Sequence, residues 1–122
     1  MSNKHDTVEI TFFSGVEDGT EYRFEPTALP NGRITIGRDE ENVISITTDP
    51  TISRFHAVLY WQSGSWWLED LDSKNGTFVE HHSTLQRDVK VRGTVQLESE
   101  QLFRVGKTWL RFQPQNWYMN AT

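Results

Sequence analysis

Within TISRFHAVLYW, residues 51–61, a hydroxyl, a guanidinium and an imidazole fall inside four positions, as Ser53, Arg54 and His56. The apolar run Ala57 to Trp61 follows at once, which puts these groups at the mouth of a buried strand. Two chemistries use such a set. A hydrolase wants a serine nucleophile and a histidine base, whereas an anion-holding loop wants cations and hydrogen-bond donors. Arg38, just after RITIG (33–37), adds a planar fork of donors that can grip two oxygens of an oxyanion. Lys74 and Asn75, within DLDSKNGTF (70–78), add a movable ammonium and an amide that both donates and accepts, as an extended peptide backbone requires. Singly, each has a plainer reading: a solvated arginine, a capped loop, a tight turn of positive φ at Asn75-Gly76. The combination on one short chain points to an oxyanion pocket, made positive by Arg38, Arg54 and Lys74.

Rival chemistries fit the residues less well. A catalytic triad would take Ser53, His56 and Asp70, but strand alternation turns residues three apart to opposite faces, and no Gly-x-Ser-x-Gly elbow occurs. Metal binding would draw on His5, His56, His81 and His82, yet adjacent histidines diverge in extended chain and no spaced carboxylate–histidine set accompanies them. Trp61, Trp66, Trp67, Trp109 and Trp117 could stack on a sugar, although the first three lie in expected strands, where packing explains them. Trp117-Tyr118 either covers a sheet edge or is exposed for a partner.

The elements that must position these residues are short strands. Period-two alternation marks VEITFF (8–13), EYRFE (21–25), RITIG (33–37), HAVLYW (56–61), WWLEDL (66–71), TFV (77–79), GTVQLE (93–98), QLFRVG (101–106) and KTWLRFQ (107–113). Gln62-Ser63-Gly64-Ser65 is a hairpin turn, and further turn signals include Gly15, Asp18-Gly19, Pro30-Asn31-Gly32, Asp49-Pro50 and Gly93. No segment carries a helical period. The expectation is one all-β domain, a sandwich or barrel with its function on loops at one end. At 122 residues the chain has the length of one domain and can bury a core without staples; it contains no cysteine. Its net charge of −5 argues against nucleic acid as a partner. MSNKHDTVEI has no signal-like apolar core and no run suits a membrane span, so a cytoplasmic domain with no membrane partner is expected.

The spaced motifs resemble the forkhead-associated (FHA) domain. They are Gly37-Arg38, Asn42-x-Ile44, Asp49-Pro50, Ser53-Arg54-x-His56-Ala57 and Ser73-x-Asn75-Gly76-Thr77, covering residues 33–80, with a looser match through GTVQLESEQLFRVGKTWLRF. The resemblance implies a phosphothreonine-binding β-sandwich of about eleven strands in two twisted, mainly antiparallel sheets, at residues 7–113, with tails at 1–6 and 114–122. It implies that Arg38 and Ser53 bind the phosphate, and that Arg54 and Lys74 contact phosphate or peptide. Asn75 would bind the backbone beside the phosphothreonine. Gly37, His56, Gly76 and Thr77 would support the site, with His56 tying the loops together rather than touching ligand. By the same resemblance the domain is a non-catalytic reader without a cofactor, and its partner is a phosphothreonine protein made by a serine/threonine kinase. The alternative is phosphate-independent contact through a sheet face. Departures stand at Glu80-His81-His82, where the family has Asn-Gly, and at Glu98-Ser99-Glu100, which replaces a Gly-Asp turn.

Asp39-Glu40-Glu41 directly follows Arg38. Its simplest reading is a solvated loop; its functional reading is a bias toward basic side chains in the ligand.

Overall fold

The structure is a computed structural model that describes residues 7–81 and 86–114. His5, His82, the 1–6 tail and the Trp117-Tyr118 pair lie outside the described residues.

Alternating apolar residues build two layers. The strands are β1 (Val8–Phe12), β2 (Glu21–Phe24), β3 (Arg33–Gly37), β4 (Ile44–Ser45), β5 (Ala57–Gln62), β6 (Ser65–Asp70), β7 (Thr77–His81), β8 (Gln86–Lys90), β9 (Thr94–Leu97), β10 (Leu102–Val105) and β11 (Thr108–Pro114). One sheet runs β2-β1-β11-β10-β7-β8 and the other β4-β3-β5-β6-β9. Neighbours pair antiparallel except β3 and β4, which are parallel. Short 3₁₀ turns at Pro26–Ala28 and Pro30–Gly32 join β2 to β3.

The core lies between the sheets. Ile34 and Ile36 of β3, Leu59 of β5 and Leu68 of β6 are buried, as are Ile10, Phe12, Phe103, Leu110 and Phe112 from the other layer. Side chains of this size contribute about 1.5–3 kcal/mol each on burial. Ser63 and Gly64 both have positive φ, 54° and 80°. That is the primed two-residue turn whose twist matches a hairpin, and it sets Trp61 opposite Trp66.

Two strands carry no alternation signal. β4 has two residues, and its parallel partnership with β3 depends on the loop between them. β8 reads QRDVK, too polar to register as half-buried; it is an edge strand, where charge discourages further pairing. At Glu98–Gln101, where the resemblance implies a Gly-Asp turn, Glu100 adopts φ 66°. Gln101 sustains this turn: its Oε1 accepts from the Glu98 N–H at 2.8 Å and its Nε2 donates to the Glu80 carbonyl at 3.1 Å.

Val8 pairs with Pro114 at one end of the sandwich. At the other end the turn through Gly106 packs on Thr51 and Ile52, while Ala57 pairs with Asp70 and Val105 with Thr77. The loops following β3, preceding β5 and joining β6 to β7 therefore share that second end.

Candidate functional site

The loops are knitted by hydrogen bonds between chain-distant groups. Arg38 follows β3 into solvent; its backbone N–H donates to the Ser53 carbonyl at 3.0 Å and its Nε donates to the Ile52 carbonyl at 2.9 Å. One edge of the guanidinium is thus fixed, and its two terminal nitrogens have no partner among the described residues. The Ser53 hydroxyl oxygen accepts the Lys74 backbone N–H at 3.0 Å, and its own proton is donated to no described group. Asn75 donates from Nδ2 to the Thr51 carbonyl at 2.7 Å, which leaves its Oδ1 as an acceptor on the exposed side. The Lys74 and Arg54 side chains are exposed beside them.

His56 is fully buried beneath this surface. Its Nδ1 accepts the Ser53 backbone N–H at 3.0 Å, and its Nε2 donates to the Gly76 carbonyl at 2.9 Å. These partners assign the neutral Nε2–H tautomer. Burial pushes the imidazole below its ordinary pKa, outweighing the Gly76 carbonyl and the Asp70 and Asp49 carboxylates, which pull it up. The imidazole thus joins the loop that carries Ser53 to the loop that carries Asn75. Its nitrogens face backbone groups, and the Ser53 hydroxyl does not reach it, so the nucleophile–base contact of a hydrolytic triad is not formed.

Asp70 organises the β6–β7 loop. It accepts from the Ser73 N–H and hydroxyl at 3.1 and 2.6 Å and from the Thr77 hydroxyl at 2.6 Å. Burial raises this carboxyl, but those bonds and the nearby imidazole together hold it below the usual carboxylate range. The Ser73 hydroxyl in turn accepts the Gly76 N–H at 2.9 Å. Gly76 has φ +90°, and a Cβ there would fall 2.9 Å from the Phe78 ring. At Gly37 a Cβ would collide with the Arg54 carbonyl, so the absence of a side chain lets the two loops touch.

Residue types and the motif resemblance pointed to Arg38, Ser53, Arg54, Lys74 and Asn75, and the structure brings their loops to one end with Gly37, His56, Gly76 and Thr77. Ser53 is half-buried and the other four polar residues are exposed. Three supporting residues had no visible role in the sequence. Asn42, read there as a spacer, donates from Nδ2 to the carbonyls of Asp39 (2.8 Å) and Arg54 (2.7 Å). Asp49 accepts from the Thr51 N–H, the Lys107 N–H and the Thr108 hydroxyl, at 2.9, 2.9 and 2.7 Å. Burial raises Asp49 as well, and its hydrogen bonds again leave it lowered. Asp70, weighed only as a triad member, is the third. The one available signal was composition: a carboxylate followed within a few positions by hydroxyl residues.

The cation distribution differs from the expected pocket made positive by three cations. A cavity of about 590 Å³ is lined by Arg38, Arg54, Thr47, Asp39, Glu40 and Glu41, and Ser53, Lys74 and Asn75 stand outside this lining.

A family model described as FHA domain matches residues 34–106. The FHA domain-containing protein FhaB of Mycobacterium tuberculosis is 32% identical over 94 residues, covering 71% of this chain and 56% of that protein. Its counterpart from Mycolicibacterium smegmatis is 31% identical over 86 residues, covering 70% of this chain and 50% of that protein. The chain thus spans about half the length of the curated relatives it matches. Among solved structures, the FHA domain of an Arabidopsis thaliana hypothetical protein superposes with a TM-score of 0.72 at 23% identity, over 89% of this chain and 86% of that one. A structure from work on phosphothreonine-dependent FHA domain interactions matches with TM-score 0.68 at 25% identity, over 88% of this chain and 95% of that one. With the paired sheets, the loop end and the motif residues all in place, the chain belongs to the FHA domain family.

Proposed function

We propose that this domain reads phosphothreonine in partner proteins through the loops around Arg38 and Ser53. The observation that carries the reading is the state of Arg38: pinned at Nε, it offers its remaining donors beside an unspent serine proton. A phosphate dianion is the ligand that uses this arrangement in full, since bidentate guanidinium contacts and a hydroxyl donor match its oxygens. Arg54 and Lys74 contact the phosphate or the peptide, and the Asn75 Oδ1 accepts a ligand backbone N–H. Gly37, His56, Gly76 and Thr77 hold these groups in place and do not touch ligand. The relatives support the reading: one solved neighbour is the FhaA FHA domain complexed with the intracellular domain of Rv3910, and another concerns phosphothreonine-dependent interactions. Preference for threonine over serine requires a niche for one methyl group, worth about 1–3 kcal/mol. The partner is the product of a serine/threonine kinase, met in the cytoplasm, and the domain binds it without catalysis.

A second reading, phosphate-independent contact through a sheet face, draws on the outer surface of the six-stranded sheet. There Arg104 lies over the Phe78 ring at 4.2 Å, and Phe13 is 44% exposed.

Titration with phosphothreonine, phosphoserine and unphosphorylated peptide pools separates the two. Binding to the phosphothreonine pool alone is expected, weakened at least about tenfold by Arg38→Ala, as loss of a charge-assisted contact implies. A folded protein that binds none of the pools would favour the sheet-face reading.

A further inference from the structure

Building on that reading, we propose that Glu40 and Glu41 select ligands with a lysine or arginine beside the phosphothreonine. The cavity at the loop end is lined by charges of both signs, Arg38 and Arg54 with Asp39, Glu40 and Glu41. No ion pair joins them, although side-chain ion pairs do form elsewhere, between Arg23 and Glu9 and between Arg104 and Asp88. The Asp39 carboxylate is committed to its own loop, accepting the Glu41 N–H at 2.9 Å. The Glu40 and Glu41 carboxylates are exposed and have no hydrogen-bond partner among the described residues.

The loop that carries these carboxylates is held. The Asp39 N–H donates to the Arg54 carbonyl at 3.1 Å, and buried Asn42 bonds both Asp39 and Arg54. The carboxylates are therefore kept at the rim of the cavity that holds the arginines. A site for phosphate alone gains nothing from them, because they lower the positive potential that attracts a dianion. They are favourable for a ligand that brings a cation with its phosphate. The cavity, about 590 Å³ and open to solvent, leaves room for more than one phosphate group. In an extended peptide the side chain two positions away shares the face of the phosphothreonine, about 7 Å along the chain, and a long basic side chain reaches the rim from there.

The test uses phosphothreonine peptides of one sequence with lysine, alanine or glutamate flanks, together with the unphosphorylated lysine peptide. Each is titrated against the wild type, E40Q, E41Q and the double variant. In the wild type the lysine-flanked phosphopeptide should bind about fivefold tighter than the alanine-flanked one, and the glutamate-flanked one more weakly still. The advantage should shrink in each single variant, vanish in the double, and fade as salt rises. Equal affinity for all three flanks, or a lysine preference that survives the double substitution, would overturn the inference and leave phosphothreonine reading intact. Failure of every phosphopeptide to bind would overturn both. The single variants keep the test decisive if the double variant does not fold.

Discussion

His56 contributes by position, since both imidazole nitrogens are used on backbone groups of two different loops. Replacing it with alanine strands the Ser53 N–H and the Gly76 carbonyl in a buried setting. Each unmet group costs about 1–3 kcal/mol, so His56→Ala should lose about 3 kcal/mol in urea denaturation. An unchanged midpoint would remove this role. Arg38 and Ser53 were legible as candidates from their own side-chain chemistry, whatever their neighbours. Asn42 and Asp49 were not, because what they do is defined by partners such as Arg54, Lys107 and Thr108, which no local spacing brings near. The triad was disfavoured already by alternation and by the missing nucleophile elbow, and the His56 nitrogens indeed meet backbone groups instead of the Ser53 hydroxyl.

Asp49 acts between elements. It ties the loop before β5 to the turn between β10 and β11, and thus joins the two sheets at the end that carries the Arg38 and Ser53 loops. Asp49→Ala would leave the Lys107 N–H and the Thr108 hydroxyl without their acceptor, and a loss of about 3 kcal/mol is expected. Hydrogen exchange at the Lys107 amide is the local readout; protection equal to wild type would contradict the staple. Most strands were visible as alternation, and RITIG kept the bounds read for it, because a half-buried strand writes its burial into its own residues. β4 and β8 were invisible for the opposite reason. Their conformation comes from the neighbours they pair with, and at Glu100 a non-glycine residue takes a positive-φ turn where the resemblance implies a Gly-Asp turn.

At the scale of the molecule, three lowered pKa values combine with one sign. Folding depresses His56, Asp49 and Asp70, so the unfolded chain binds more protons than the folded one in acid. The His56 contribution is complete above the ordinary histidine pKa near ~6.5 and is lost as pH falls through its lowered value. The carboxylate contributions are complete above ~4 and are lost lower still. Thermal melting between pH 8 and pH 3 should therefore show stability falling in two stages, and a flat profile would refute the assignment. Ligand binding should weaken separately as pH drops through the phosphate's second pKa of about 6. An all-β sandwich or barrel was foreseeable from many short strands without a helical period, and the motif resemblance singled out the sandwich, while the order of strands within each sheet was not legible.

The pairing of Val8 with Pro114 has a practical corollary. Partners across a ladder are about 5 Å apart, so the incoming and outgoing chain pass through almost the same point, on the side away from Arg38. Such a unit can be spliced into a surface loop of a host protein without prising that loop open. The chain thus enters and leaves at the end opposite the loops that carry Arg38, Ser53 and Asn75, and those loops stay open whatever is built behind them.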